Sequence, residues 1–245
     1  MSQPSSTPSL SNTIGTLNEK PLHAALKQHY ALPGDRFEVP VEKYVIDILR
    51  PGAGGDLLIE IQTGSFVPLK KKLRALLPNH QILLIYPIPL EKWLVTIPQN
   101  GRLADARRRK SPKRGSVLTL FHELVYIPDL LSHPNFLIEV AMTREEEVRQ
   151  LRQAPKRRRR GYGKGWTLVE RRLLEVADRH LFKRPQDLLS LLPEGLPEPF
   201  TTGILAKRLG RPRSLAQKMV YALRHMGAVE AVGKEGRSVL YVTQN

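Results

Sequence analysis

Tyr44-Val45-Ile46-Asp47-Ile48-Leu49 and, after a Gly-rich turn, Asp56-Leu57-Leu58-Ile59-Glu60-Ile61-Gln62 decide how this chain is read. Both are apolar, strand-like runs, and each carries a carboxylate where a buried strand ordinarily carries none. Burying an unpaired charge is costly, so such groups have a partner, often a metal ion. If the turn at residues 50–55 closes a hairpin, Asp47 lies near Leu58, and side-chain alternation brings Asp47, Glu60 and Gln62 out on one face. An acid on one strand beside an acid on the next is what a divalent-cation site needs. Each carboxylate also has a plainer explanation: a salt bridge to a buried arginine for Glu60, a strand-end hydrogen bond for Asp47.

Upstream, Asn18 is a helix cap with Glu19 at the first position and Pro21 in the tolerated first turn. Leu22, Ala25, Leu26 and Tyr30 follow at helical spacing. Residues 36–39 and 43–49 read as strands. Downstream, residues 66–77 form a basic amphipathic helix, and residues 82–86 and 93–97 two further strands. Residues 102–114 make a basic loop, 117–125 a short helix and 136–142 a last strand. Thr143 with Glu145, Glu146 and Glu147 opens a helix whose first-turn acids suit its dipole. Helix, three strands, helix, strand, strand predicts an α/β domain on a mixed sheet.

A formal net charge of +16 over 245 residues argues for a polyanionic partner. At 41% hydrophobic, the chain has material for a real core, and cysteine is absent, which excludes disulfides and zinc–thiolate sites and fits a reducing cytoplasm. Residues 1–14, rich in Ser, Pro and Thr without an apolar run, read as a disordered tail rather than a signal peptide. No run approaches the ~20 apolar residues of a membrane span. The basic, Gly-containing stretch from Ala154 to Gly163 reads as a linker. Four regions are therefore expected: tail 1–14, α/β domain 15–150, linker 151–165 and C-terminal module 166–245.

In that module Leu168, Leu173, Leu174 and Ala177 recur at helical spacing, and residues 185–192 suggest a second short helix. Thr201-Thr202 caps a helix running to Leu209, Gly210-Arg211-Pro212 turns the chain, and residues 214–226 form a longer helix. Residues 228–232 and 238–242 are strands joined by Gly233-Lys234-Glu235-Gly236-Arg237. This order resembles a winged helix-turn-helix. The resemblance implies that the long helix shows Arg213, Gln217, Lys218, Tyr221 and Arg224 to duplex DNA and that Lys234 and Arg237 sit on the wing. Arg and Gln read base edges, whereas Lys mainly grips phosphate. A winged helix used for protein contact is the alternative.

The N-terminal pattern resembles the PD-(D/E)XK nuclease superfamily: an acid on the first helix (Glu19), an acid on one strand (Asp47) and Glu60-Ile61-Gln62 on the next, followed by a helix. The resemblance implies a restriction-endonuclease-like core in which Asp47 and Glu60 hold Mg²⁺ or Mn²⁺. Glu19 would be an auxiliary ligand or a water-orienting group, or merely a dipole-favoured helix start. Gln62 stands where the superfamily has lysine, and it supplies neither positive charge nor an ammonium proton. Lys70, Lys71 and Lys72 are candidates to replace that lysine, with Lys70 preferred. Arg107, Arg108, Arg109, Lys113, Arg114, Arg157 and Arg158 would bind backbone phosphates.

The expected protein is a cytoplasmic, metal-dependent DNA endonuclease placed on duplex DNA by its winged helix, with homodimers required if each subunit cuts one strand. Gln62 leaves open a second expectation, a DNA-binding regulator whose nuclease-like fold is a scaffold. RNA binding is disfavoured by an aromatic content of 6%.

Overall fold

In the computed structural model of the chain, residues 20–152 and 165–244 are described. Helix α1 (Pro21–Tyr30) begins with Pro in its first turn, where the missing N–H costs nothing. Strands β1 (Arg36–Val41), β2 (Tyr44–Arg50) and β3 (Leu57–Ile61) form an antiparallel meander. Helix α2 (Leu69–Leu76) returns the chain so that β4 (Gln81–Ile97) runs parallel to β3. Strand β5 (Arg107–Lys110) pairs antiparallel with the far half of β4. A short helix, α3 (Phe121–Leu124), precedes the long strands β6 (Phe136–Leu151) and β7 (Trp166–Phe182). The mixed sheet runs β1-β2-β3-β4-β6-β7, with β5 also on β4.

Sequence and structure agree on the α/β class with a mixed sheet. Leu22, Leu26 and Tyr30 of α1 pack on one sheet face with Ile48, Ile59, Ile61 and Ile85. Leu69, Leu73 and Leu76 of α2 and Phe121 and Leu124 of α3 cover the other, with Leu58, Leu84 and Ile138. The second core is continuous with the C-terminal helices α4 (Thr202–Leu209) and α5 (Arg213–His225), through Leu205, Leu215, Met219 and Leu223. Strands β8 (Val229–Glu235) and β9 (Ser238–Thr243) close the chain as a hairpin, and Phe200 bridges to Tyr241. The Thr201 hydroxyl caps α4 by accepting the Ile204 amide at 3.2 Å, as its position suggests.

Several expectations change. Residues 82–86 and 93–97 are one strand, β4. Its Pro87 and Pro89 pair with β6, but like Ile85, whose carbonyl takes the Gln62 amide, they turn their backbone polar groups to the other side, where β3 has ended and no strand needs their missing amides. Part of the basic loop is strand β5. The helix expected at Thr143 is the second half of β6, and the helix expected over residues 166–181 is β7, paired with β6 along its length. Register shifts at Met142/Thr143, Arg144/Glu145 and Val148/Arg149 break the twofold alternation that would have marked strands. The boundary expected at 151–165 therefore falls between two paired strands, and the sheet continues to Phe182. Most of the expected linker, with Arg157 and Arg158, lies outside the described residues, as do the tail and Glu19.

Gly115 donates its amide to the Pro89 carbonyl at 2.9 Å, and a Cβ there would sit 2.6 Å from that oxygen and 2.7 Å from Ile88 Cγ2. Both obstacles belong to a core strand and cannot swing aside. Gly115→Ala is expected to destabilise by about 1–3 kcal/mol, read as a lowered calorimetric midpoint. An unchanged midpoint would show that this crossing is loose.

Candidate active site and basic surfaces

The β2–β3 ladder pairs Leu49 with Leu58 and Ile48 with Ile59. Asp47 is thus two residues further along than the expected alignment with Leu58, next to the level of Glu60. There the Asp47 side chain takes over from the ladder. Its Oδ2 accepts the Ile61 amide at 2.8 Å and lies 3.1 Å from His23 Nε2 on α1. The strand-end hydrogen bond foreseen as the plainer explanation is present, and it leaves the carboxylate anchored between β3 and α1.

Glu60 is 8% exposed. Its Oε2 accepts from Lys72 Nζ at 2.6 Å, and the same ammonium donates to the Val45 carbonyl at 2.6 Å. Lys72, not the preferred Lys70, therefore reaches the acids. The salt bridge considered for Glu60 exists, with a lysine rather than an arginine. The reason is helical phase: Lys72 neighbours core residues Leu69, Leu73 and Leu76 on the sheet side of α2, a placement that residue spacing alone left open between three consecutive lysines. His23, which has no ligand spacing in the sequence, joins through α1, and Lys27 of the same helix pairs with Glu38. The only available signal was their i,i+4 separation on a helix that also supplies Leu22 and Leu26 to the core.

Burial, then the Asp47 charge, pushes the Glu60 carboxyl up to about 7 against the opposing pull of Lys72. Asp47 moves the other way: burial would raise it, but the His23 and Ile61 hydrogen bonds and the charges of His23 and Lys27 outweigh burial. Two neighbouring acids shifted in opposite directions make a candidate functional pair. Gln62 donates from Nε2 to the Ser65 carbonyl at 2.5 Å, and its own amide donates to the Ile85 carbonyl at 2.9 Å. Its side-chain oxygen makes no hydrogen bond among the described residues.

The Glu60 shift has a consequence for stability. Its folded value lies above the ordinary 4.5, so the native state binds a proton that the unfolded chain releases. The stability from this group is full below about 4.5 and is lost as pH rises through about 7. Calorimetry from pH ~5 to ~8 is expected to show the wild-type midpoint falling relative to that of Glu60→Gln. Parallel curves would remove Glu60 as the source.

From the edge of the sheet, Arg171 of β7 reaches across to the end of β3. Its Nη1 donates to the Thr63 carbonyl at 3.3 Å, one residue past Gln62, and its Nη2 and Nε bind Glu145 Oε2 at 2.7 and 3.0 Å. Glu145 is fully buried and also accepts from the Thr143 hydroxyl at 2.7 Å. The acids read as a helix start are thus strand residues with cationic partners: Glu147 binds Lys92 and Arg149, and Glu146 binds Arg108.

The expected phosphate-binding residues divide in two. Arg108 pairs with Glu146 and lies over the Trp93 ring, and Arg114 pairs with Glu91. Among the described residues Arg107, Arg109 and Lys113 make no ion pair, and Arg107 and Arg109 line an open groove with Thr96 and Pro98. Arg213, Gln217, Tyr221 and Arg224 form one stripe along α5 and, with Arg237 of the β8–β9 turn, line a second groove. Lys234 is exposed on β8, outside that groove. Lys218, expected beside the α5 stripe, faces inward and donates to His122 Nδ1 of α3 at 3.0 Å.

Among the described residues no group of three or more His, Cys, Asp and Glu side chains is arranged to hold a metal ion. No helix there is long and apolar enough to cross a membrane. The family described as "Domain of unknown function (DUF8091)" matches residues 20–183, from the residue before α1 to the residue after β7. An uncharacterized protein of Treponema pallidum (strain Nichols) is 30% identical over 232 residues, covering 94% of this chain and 87% of its own length. No solved structure matches the chain.

Proposed function

We propose that this chain, which belongs to the DUF8091 family, is a metal-dependent DNA endonuclease with a restriction-endonuclease-like core and a winged-helix module. The observation that carries the reading is the meeting of Asp47, Glu60 and Lys72 where β2 and β3 diverge, at the head of a β3–α2–β4 unit. Support for the core comes from an antiparallel meander followed by a parallel strand and helices on both faces. Support for the second module comes from α4, α5 and a hairpin joined to Phe200.

Asp47 and Glu60 suit Mg²⁺ or Mn²⁺, which take oxygen ligands, and the proton held on buried Glu60 marks negative charge that a cation would relieve. These two side chains would hold the ion, with the Gln62 carbonyl oxygen within the same strand end. The bound ion supplies an activated water and neutralises charge on the scissile phosphate. Lys72, displaced from Glu60, supplies the positive charge that Gln62 lacks. His23, 3.1 Å from Asp47 Oδ2, keeps that carboxylate oriented. Arg213, Gln217, Tyr221, Arg224 and Arg237 face the duplex, and Arg107 and Arg109 grip phosphate. Cutting both strands would require two subunits.

The test is cleavage of plasmid DNA in Mg²⁺ or Mn²⁺ by the full chain, with binding measured in parallel over a salt series. Metal-dependent nicks or breaks, with affinity falling steeply in salt, are expected. The Lys72–Glu60 pair also favours a second reading, a DNA-binding regulator whose former ligand is permanently capped. Tight binding without cutting, on supercoiled, linear and single-stranded DNA alike, would select it.

A further inference from the structure

The inward turn of Lys218 sets it apart from the rest of the α5 polar stripe. Its ammonium donates to His122 Nδ1 at 3.0 Å. The next residue, Glu123, accepts the Phe66 amide on Oε2 at 2.9 Å. Phe66 is fully buried, meets Tyr86 of β4 edge to face with ring centroids 4.8 Å apart, and closes the loop that begins at Gln62. Adjacent side chains on α3 thus hold α5 with one and the loop after Glu60 and Gln62 with the other. A second tie runs from the Ser132 hydroxyl to the Met226 carbonyl at 3.3 Å, at the far end of α5. The apolar core is continuous beneath both.

We propose that Lys218 is a positioning residue that, through His122 and Glu123, fixes α5 against the strand end carrying Glu60 and Gln62, so that cutting falls at a set distance from the DNA segment held by α5. This rests on the nuclease reading for its consequence, but the connection itself is a property of the free chain. It removes Lys218 from the base-reading or phosphate-gripping set. Burial and the Lys218 charge keep His122 below its ordinary value, so the ring is the neutral acceptor this contact needs.

The test compares wild type, Lys218→Met and Lys218→Arg as full-length proteins. In the free proteins, hydrogen exchange is followed in peptides spanning residues 62–69 and 117–125, with residues 136–142 as the core control. Lys218→Met is expected to speed exchange at Phe66 and α3 by about fivefold, the equivalent of one ordinary hydrogen bond, while the control is unchanged and Lys218→Arg restores protection. On linear plasmid DNA in Mg²⁺, sequenced ends are expected at a narrow offset from the EDTA footprint for wild type, and spread for Lys218→Met at unchanged affinity. Unaltered exchange at Phe66, or acceleration equal to that of the core control, would overturn the positioning role. An unaltered offset would overturn its consequence for cutting. If wild type binds DNA without cutting, the nuclease reading and that consequence fall together, and the exchange result still decides the connection.

Discussion

Asp47→Asn and Glu60→Gln are each expected to lower Mg²⁺-dependent DNA cutting by at least about 10³-fold, with DNA affinity changed less than about threefold. The substitutions remove negative charge and little else. Asparagine at position 47 keeps an oxygen to accept the Ile61 amide, so the β2–β3 junction stays closed. Glutamine at position 60 keeps the shape of a residue that is 8% exposed. Affinity survives because the surfaces assigned to DNA are elsewhere, on α5, the β8–β9 turn and β5. Lys72→Met should cost about 10²-fold, whereas Lys70→Met should cost little, since only Lys72 reaches Glu60. Plasmid cleavage and filter binding on the same preparations decide the matter. Full activity in either acid variant would sink the two-carboxylate site, and equal losses at Lys70 and Lys72 would return that assignment to charge alone.

Arg171→Met is expected to destabilise the fold by about 3–5 kcal/mol, whatever the chain does with DNA. The methionine fills most of the space but leaves Glu145 as a fully buried carboxylate with, among the described residues, only the Thr143 hydroxyl as partner. A buried charge stripped of its counter-ion loses far more than the pair was contributing. For a chain of this length the loss corresponds to a calorimetric midpoint lower by about 10 °C. Adding Glu145→Leu to Arg171→Met should recover most of it, because an apolar pair avoids desolvating either charge. No recovery in the double variant would mean that Arg171 acts through Thr63 instead. Since Thr63 follows Gln62, the single variant should also loosen the end of β3.

Local signals in the chain carried the meander and the C-terminal order. Apolar runs interrupted by Gly-rich turns specify β1 to β3, and Thr201, Gly210 and Pro212 punctuate α4 and α5 wherever these segments pack. The two acids stood out for the same reason: a carboxylate within an apolar strand is conspicuous before any partner is known. Lys218 marks the limit of that reading. Its place on α5 is helical and legible, but whether it meets water or His122 depends on where α3 lies, almost a hundred residues earlier.

The amino-acid sequence by itself determined the α/β class, the three strands of the meander, Asp47 and Glu60 as acids set within apolar strands, and the basic stripe of α5, because each rests on spacing within one segment. Tertiary structure decided the rest. Residues 143–151 and 166–182 carry helix-forming Glu, Arg and Leu, and they are strands because pairing between β6 and β7 satisfies their backbones, while β7 supplies Arg171 to Glu145 and the neighbouring β4 supplies Lys92 to Glu147. Likewise His23 and Lys72 belong to the site only because α1 and α2 pack on opposite faces of one sheet and meet where β2 and β3 part. Contacts between segments far apart in the chain leave no period in either one, and only the folded sheet brings them together.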